Sequence, residues 1–232
     1  MAGAPADRGP GVSRSADAAP SVVDLALRPS APVVGRPTRD GAQAEAARRI
    51  LEAAAPLFYR QGIRAVSADA VIDAAGVTKA TFYRHFPTKD ELVVAYLTAI
   101  AAAEQHVVTQ WRAELADQPD EVLTRYARTL GRDACGPGFH GCPFLNALAE
   151  YPDAEHPVRV AAQQHRRWLR AAAGELLKQM GVAEPQVVAL ELMMLRDGAM
   201  AAGDDVPGDQ VAQALLGAGR AVVRGGARPA EV

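Results

Sequence analysis

Two short helical patterns meet at Gly76, and the second is crowded with groups that bond to phosphates and base edges. Ser67 is a capping residue type whose hydroxyl can take an orphan backbone N–H. Val71, Ala74 and Ala75 follow at i, i+3 and i+4, a narrow apolar stripe. Gly76 ends that helix because glycine enters the left-handed conformation without steric cost. Val77 is placed to plug the corner, and Thr78 caps a second helix. Phe82 and Phe86 are four apart, share one face and are expected in the core. Lys79, Thr81, Tyr83, Arg84 and His85 fall elsewhere around the same helix. Pro87 stops it, and Thr88-Lys-Asp-Glu91 has the form of a capping box opening the next helix. The pattern predicts a helix-turn-helix whose second helix offers donors to a DNA major groove. The plainer alternative is an αα-corner with a solvated polar face.

A longer stretch narrows the choice. Arg48-Arg-Ile-Leu-Glu-Ala-Ala54, Leu57-Phe58 and Gly62 precede Val66-Ser-Ala-Asp-Ala-Val-Ile-Asp-Ala-Ala-Gly-Val-Thr-Lys-Ala-Thr-Phe-Tyr-Arg-His-Phe-Pro-Thr-Lys-Asp-Glu-Leu92. Together these resemble, over about 45 residues in register, the N-terminal domain of TetR-family transcriptional regulators. The resemblance implies three helices for DNA and about six more for ligand and dimerisation. It implies base reading by Thr78 and Lys79, and phosphate contacts by Ser67, Thr81, Tyr83, His85 and Lys89. Arg84 is placed to reach either. A helix N-terminus favours anions, which supports Ser67 independently. For Lys89 the alternative is a solvated first-turn residue, and for Tyr83 half-buried packing. Pro56 departs from the family pattern. It removes the hydrogen bond to the Glu52 carbonyl and is expected to kink the first helix, at about 3 kcal/mol in a regular interior.

The chain has 232 residues, room for a reader of roughly 50 residues and a larger second domain. Hydrophobic residues make up 49% of it, enough for a real core, and abundant Ala with little alternation indicates helix. A net charge of −2 looks wrong for a DNA binder, but the distribution resolves it. Residues 36–92 carry nine Lys/Arg against seven Asp/Glu, whereas residues 93–232 carry 13 against 17. Local potential steers a protein to phosphates more than the total does. The uncharged run Leu92 to Ala103 is too short for a bilayer span, and no secretory segment opens the chain, so a cytoplasmic protein without a membrane partner is expected.

The expected layout is all-α, with about nine helices. Residues 1–42 read as a disordered extension rich in Ala, Pro, Gly and Ser, with a transient turn at Val22–Leu27. Arg36 and Arg39 read first as a solvated linker and second as a minor-groove arm. Residues 43–87 form the helix-turn-helix domain. Residues 88–224 form the effector-binding and dimerisation domain. Across the two domains, helices are expected over 43–61, 88–116, 119–134, 143–151, 157–180, 185–202 and 210–224, besides the two at the corner. Residues 225–232 are a flexible tail.

For the second domain, an effector pocket competes with catalysis. Gly136-Pro-Gly-Phe-His-Gly141 fits G-x-G-x-x-G literally, but a helical pattern precedes it and Pro137 breaks the turn chemistry, so dinucleotide binding is rejected. Cys135, His140 and Cys142 are too few for a closed zinc site, so no metal is expected. The default for both cysteines is ordinary thiols, with a redox sensor as the alternative. No nucleophile elbow is present, so no catalytic residue is assigned. Helical small-molecule sites are mostly apolar, and Phe144, Leu148, Tyr151, Trp168, Met193, Met194 and Asp197 are the candidate effector-pocket residues. For each, plain core packing is the alternative. Gly141-Cys-Pro-Phe-Leu-Asn-Ala-Leu-Ala-Glu150 is similar to a segment of one TetR subgroup. Stripes of Leu190, Met193 and Met194, and of Val211, Leu215, Val222 and Val223, suit a dimer face.

The sequence thus reads as a homodimeric regulator without a cofactor, and a repressor rather than an activator is expected. It would bind double-stranded DNA at a palindromic operator and be released by a small-molecule effector. The competing reading is a small-molecule carrier or enzyme with an incidental helical corner.

Overall fold

The computed structural model describes residues 41–134, 138–202 and 206–226. The N-terminal extension with Arg36 and Arg39, and Cys135, lie outside the described residues. Among those described there are nine helices and no strand.

α1 spans Gly41–Gln61 and continues through Pro56. It buries Ile50, Leu51, Ala54, Ala55 and Phe58 along one face. α2, Ala68–Ala75, starts on Ser67, whose Oγ accepts from the Ala70 N–H at 3.1 Å. It ends at Gly76 with φ +61°, where the Gly76 and Val77 N–H groups bond back to Asp73 and Ile72. That left-handed cap makes the sharp corner. α3, Lys79–His85, starts on Thr78, whose Oγ1 accepts from the Thr81 N–H at 3.1 Å. α4, Lys89–Glu114, starts on Thr88, which caps the Glu91 N–H at 3.1 Å.

α4 has the length and hydropathy of a membrane span by composition alone. Here it is the helix shared by both halves of the molecule. Its first turns bury Leu92, Val93, Tyr96, Leu97 and Ile100 in the same core as Phe58, Val71, Phe82 and Phe86. That core continues without a break into Leu130, Phe144, Val158 and Ala162 of the C-terminal half.

The rest are α5 (Pro119–Asp133), α6 (Pro143–Glu150), α7 (Pro157–Gln179), α8 (Pro185–Ala201) and α9 (Gly208–Gly226). Each of α5 to α8 has proline in its first turn, where the missing N–H costs nothing. α5 and α9 pack closely because Gly131 faces Ala212: a Cβ on Gly131 would lie 2.7 Å from the Ala212 Cα. α8 leaves Val187, Leu190 and Met194 exposed at 51%, 47% and 67%.

Candidate nucleic-acid interface

Phe82 and Phe86 are buried, and they hold α3 against the core from behind. The helix therefore turns its polar residues outward. Tyr83 is 47% exposed, its ring edge-on to Phe82 at 5.1 Å, rather than packed inside. Lys79 is well exposed and pairs with Asp69 of α2 at 2.9 Å. Thr78 and Thr81 share a 2.9 Å hydrogen bond at the N-terminus of α3. Arg84 is exposed, and so is Ser67 at the N-terminus of α2.

Two of the sequence candidates are less free than the rest. The Nε2 of His85 is buried without a partner, and burial, then Arg84, lowers its pKa. A neutral ring is the favoured form, so any phosphate contact falls to its other nitrogen. Lys89 turns inward. Its Nζ donates to the carbonyls of Ile63 and Val66, both at 3.0 Å, leaving one N–H. It is neither a solvated first-turn residue nor a free cation, because the α1–α2 turn presents two carbonyls to it.

Sequence patterns did not single out the residues that brace this reader. Arg49 of α1 donates to the Ala75 carbonyl at 2.7 Å and so closes the end of α2. The Glu150 carboxylate, at the end of α6, accepts from the Ile63 and Arg64 N–H groups at 2.9 and 2.6 Å. The Tyr59 hydroxyl donates to the Gly141 carbonyl at 2.9 Å and accepts from the His140 N–H at 3.1 Å. Tyr151 donates to Asp90 at 3.2 Å, and the Arg64 guanidinium lies 5.4 Å over its ring. Both ends of α6 are thus tied to the reading head.

The C-terminal half holds a cavity of about 290 Å³ between α5, α7, α8 and α9. Of the seven residues expected to line a pocket, only Met193 is on its wall. Met194, the next residue, points to solvent because successive helical positions are about 100° apart. Phe144 is buried in the core and stacks on His165 at 3.8 Å. Leu148 packs against the same core. Tyr151 sits at the junction with the reading head. Trp168 packs against the small core of Val108, Trp111, Val122 and Leu176, and Asp197 is bound to Arg166 at 2.9 Å and to Arg196 at 3.1 Å.

The sequence reading missed a buried polar chain beside this cavity. Tyr126 donates to Glu104 at 2.8 Å, Arg196 Nε donates to the Tyr126 oxygen at 3.0 Å, and His165 Nε2 lies 3.0 Å from Glu104. Burial raises the Glu104 pKa, but His165, Arg196 and Tyr126 outweigh it and hold it down at about 2. These charges stand at core-facing helical positions, where only folding reveals that they meet. Among the described residues no His/Cys/Asp/Glu cluster could hold a metal ion.

The family model described as "Bacterial regulatory proteins, tetR family" matches residues 50–96. That span holds the corner, the recognition helix and the start of α4. HTH-type transcriptional regulator TtgR of Pseudomonas putida is 34% identical over 87 residues, which is 38% of this chain and 39% of TtgR. The crystal structure of a TetR-family transcriptional regulator from Streptomyces coelicolor superposes with a TM-score of 0.74 at 40% identity. It covers 80% of this chain and 98% of its own. A second TetR-type regulator, from Streptomyces avermitilis, gives 0.60 at 31% identity over 75% of this chain and 98% of its own. With 40% identity across nearly the whole length of a solved relative, and with the reading helix set outward as described, the chain belongs to the TetR family of bacterial transcriptional regulators.

Proposed function

We propose that this protein binds a palindromic operator as a homodimer, represses transcription there, and is released when a small molecule enters the C-terminal half. One observation carries the reading. α3 presents Thr78, Lys79, Tyr83 and Arg84 on an open face while Phe82 and Phe86 fasten it to the core. A rigid helix with donors on its free side is what a major groove admits.

The dimer is supported by α8 and α9. Val187, Leu190 and Met194 form an exposed apolar stripe on α8. Ala214, Gly217 and Ala221 of α9 are exposed too, and small residues let helices approach closely. Two heads related by a two-fold axis read two half-sites, which a single short head cannot do with useful affinity. Release is then a population shift. Operator and effector prefer different spacings of the heads, and the effector must distinguish them by several kcal/mol to empty the operator. The place of action is the cytoplasm, where the chromosome lies.

A gel shift of the full chain against the DNA upstream of its own gene tests this. We expect sequence-specific retention that weakens with salt. Tight binding of a small molecule with no DNA retention at any salt would instead favour the carrier or enzyme reading.

A further inference from the structure

The cavity between α5, α7, α8 and α9 has two unlike ends, and reading them rests on the effector role proposed above. Inside, Val108, Leu169, Leu176 and Met193 are buried residues of its wall. Arg196 and Tyr126 also lie on the wall, but each is already engaged. Arg196 Nε donates to the Tyr126 oxygen and Nη1 to Asp197, while Tyr126 donates to Glu104, which also meets His165. A charged ligand group lodged among them would lose its water in a cluster whose members already hold one another. The inner end therefore suits an apolar chain.

The outer end is different. Asp120 of α5 and Arg220 and Arg224 of α9 are the exposed residues of the wall, so the cavity meets solvent between the start of α5 and the end of α9. Neither guanidinium has a hydrogen-bond or ion-pair partner among the described residues. The two lie four residues apart on one helix, where like charges repel. Glu121, the second acid on this part of the wall, is bound to Arg128 at 3.0 Å. Two free cations thus stand against one free carboxylate, Asp120, and the rim is net positive.

We propose that the cavity takes an amphipathic carboxylate, its apolar tail along the inner wall and its head at the rim between Arg220 and Arg224. An arginine lays its methylene stem on apolar surface while its guanidinium stays in water, so each residue lines the wall and still presents donors at the opening. The planar fork of guanidinium donors matches a carboxylate. Left at the rim, the head keeps most of its hydration, so burial of the tail supplies the affinity and the rim supplies the choice of charge. Arg220 and Arg224 share α9 with Gly217 and Ala221 of the proposed dimer face, so the head acts on a helix that would set the spacing of the two reading heads.

Three probes with one tail test the proposal by calorimetry on the full chain, each below its aggregation concentration: decanoate, decanol and decylammonium. We expect decanoate to bind about three-fold or more tightly than decanol, with decylammonium weakest, the scale of two solvated ion pairs. Added salt narrows the lead of decanoate. Hexanoate binds at least about ten-fold more weakly than decanoate, because less tail is buried. The double variant Arg220→Gln, Arg224→Gln brings decanoate down to decanol and leaves decanol unchanged. Ala172→Leu, which adds bulk to the buried wall, weakens both alike, with helicity checked by circular dichroism. Preference for decanol or decylammonium, no binding by any probe, or no effect of Ala172→Leu would overturn the assignment. So would loss of the decanoate preference in Arg196→Met but not in the double variant, which would put the head in the buried cluster. DNA release is read separately. Decanoate that binds as expected without releasing operator DNA leaves the cavity chemistry standing and removes only the effector reading.

Discussion

Glu150 and Ile63 are joined by a 2.9 Å hydrogen bond across the boundary between the reading head and the C-terminal half. The same carboxylate takes the Arg64 N–H at 2.6 Å, and Gly62 before it sits at φ +87°, a left-handed conformation that suits glycine. The two N–H groups lie in the turn between α1 and α2, where no helix partner serves them.

Glu150→Ala is therefore expected to lower stability by about 1–2 kcal/mol, less than two buried charged hydrogen bonds because one is exposed. It should also loosen the head. Urea unfolding and operator affinity measure the two effects. A variant as stable as wild type, with unchanged DNA release, would show that the contact does not couple the halves.

Lys79 and Lys89 should separate cleanly. Lys79 pairs with Asp69 on the surface, where water screens the attraction. Lys79→Ala is expected to leave folding nearly intact and to cost roughly 1–3 kcal/mol of specific DNA binding. Lys89 holds two carbonyls, so Lys89→Ala is expected to destabilise the fold by about 1–2 kcal/mol as well as weakening all DNA sites alike. Denaturation curves beside salt-dependent binding isotherms decide both.

Glu104 predicts a particular acid response. Its folded pKa, held down at about 2, lies below its ordinary value of 4.5. Stability from this group is present above about pH 4.5 and is lost as pH falls towards 2. Glu104→Gln is expected to be less stable at neutral pH and to show a shallower loss across that window. Thermal melts from pH 6 downward, at constant ionic strength, would show whether the slopes differ.

Met194 is 67% exposed on α8, next to Leu190 on the same stripe. Met194→Glu is expected to shift the protein from dimer towards its 24.4 kDa monomer in light scattering, with loss of operator affinity but little loss of helicity. A variant that stays dimeric would place the interface elsewhere.

Caps, stops and periodicity are local physics, and they were legible in the chain. Ser67, Gly76, Thr78 and Thr88 each act on backbone groups within a few residues, so their types and spacing suffice to place α2, α3 and the start of α4. Phe82 and Phe86 reveal the buried side of α3 because four residues return a helix to the same face. The pocket and the Glu150 contact with the reading head are different in kind. Arg196 and Tyr126 come from two helices, and nothing in a single helical period marks which of its positions will meet a cavity. Lys89 reads as a phosphate contact from its place in the motif, but that its ammonium also holds two carbonyls 23 and 26 residues away is set by the fold. Buried charges need partners close by, and which partners arrive depends on how the helices pack rather than on any one segment's pattern.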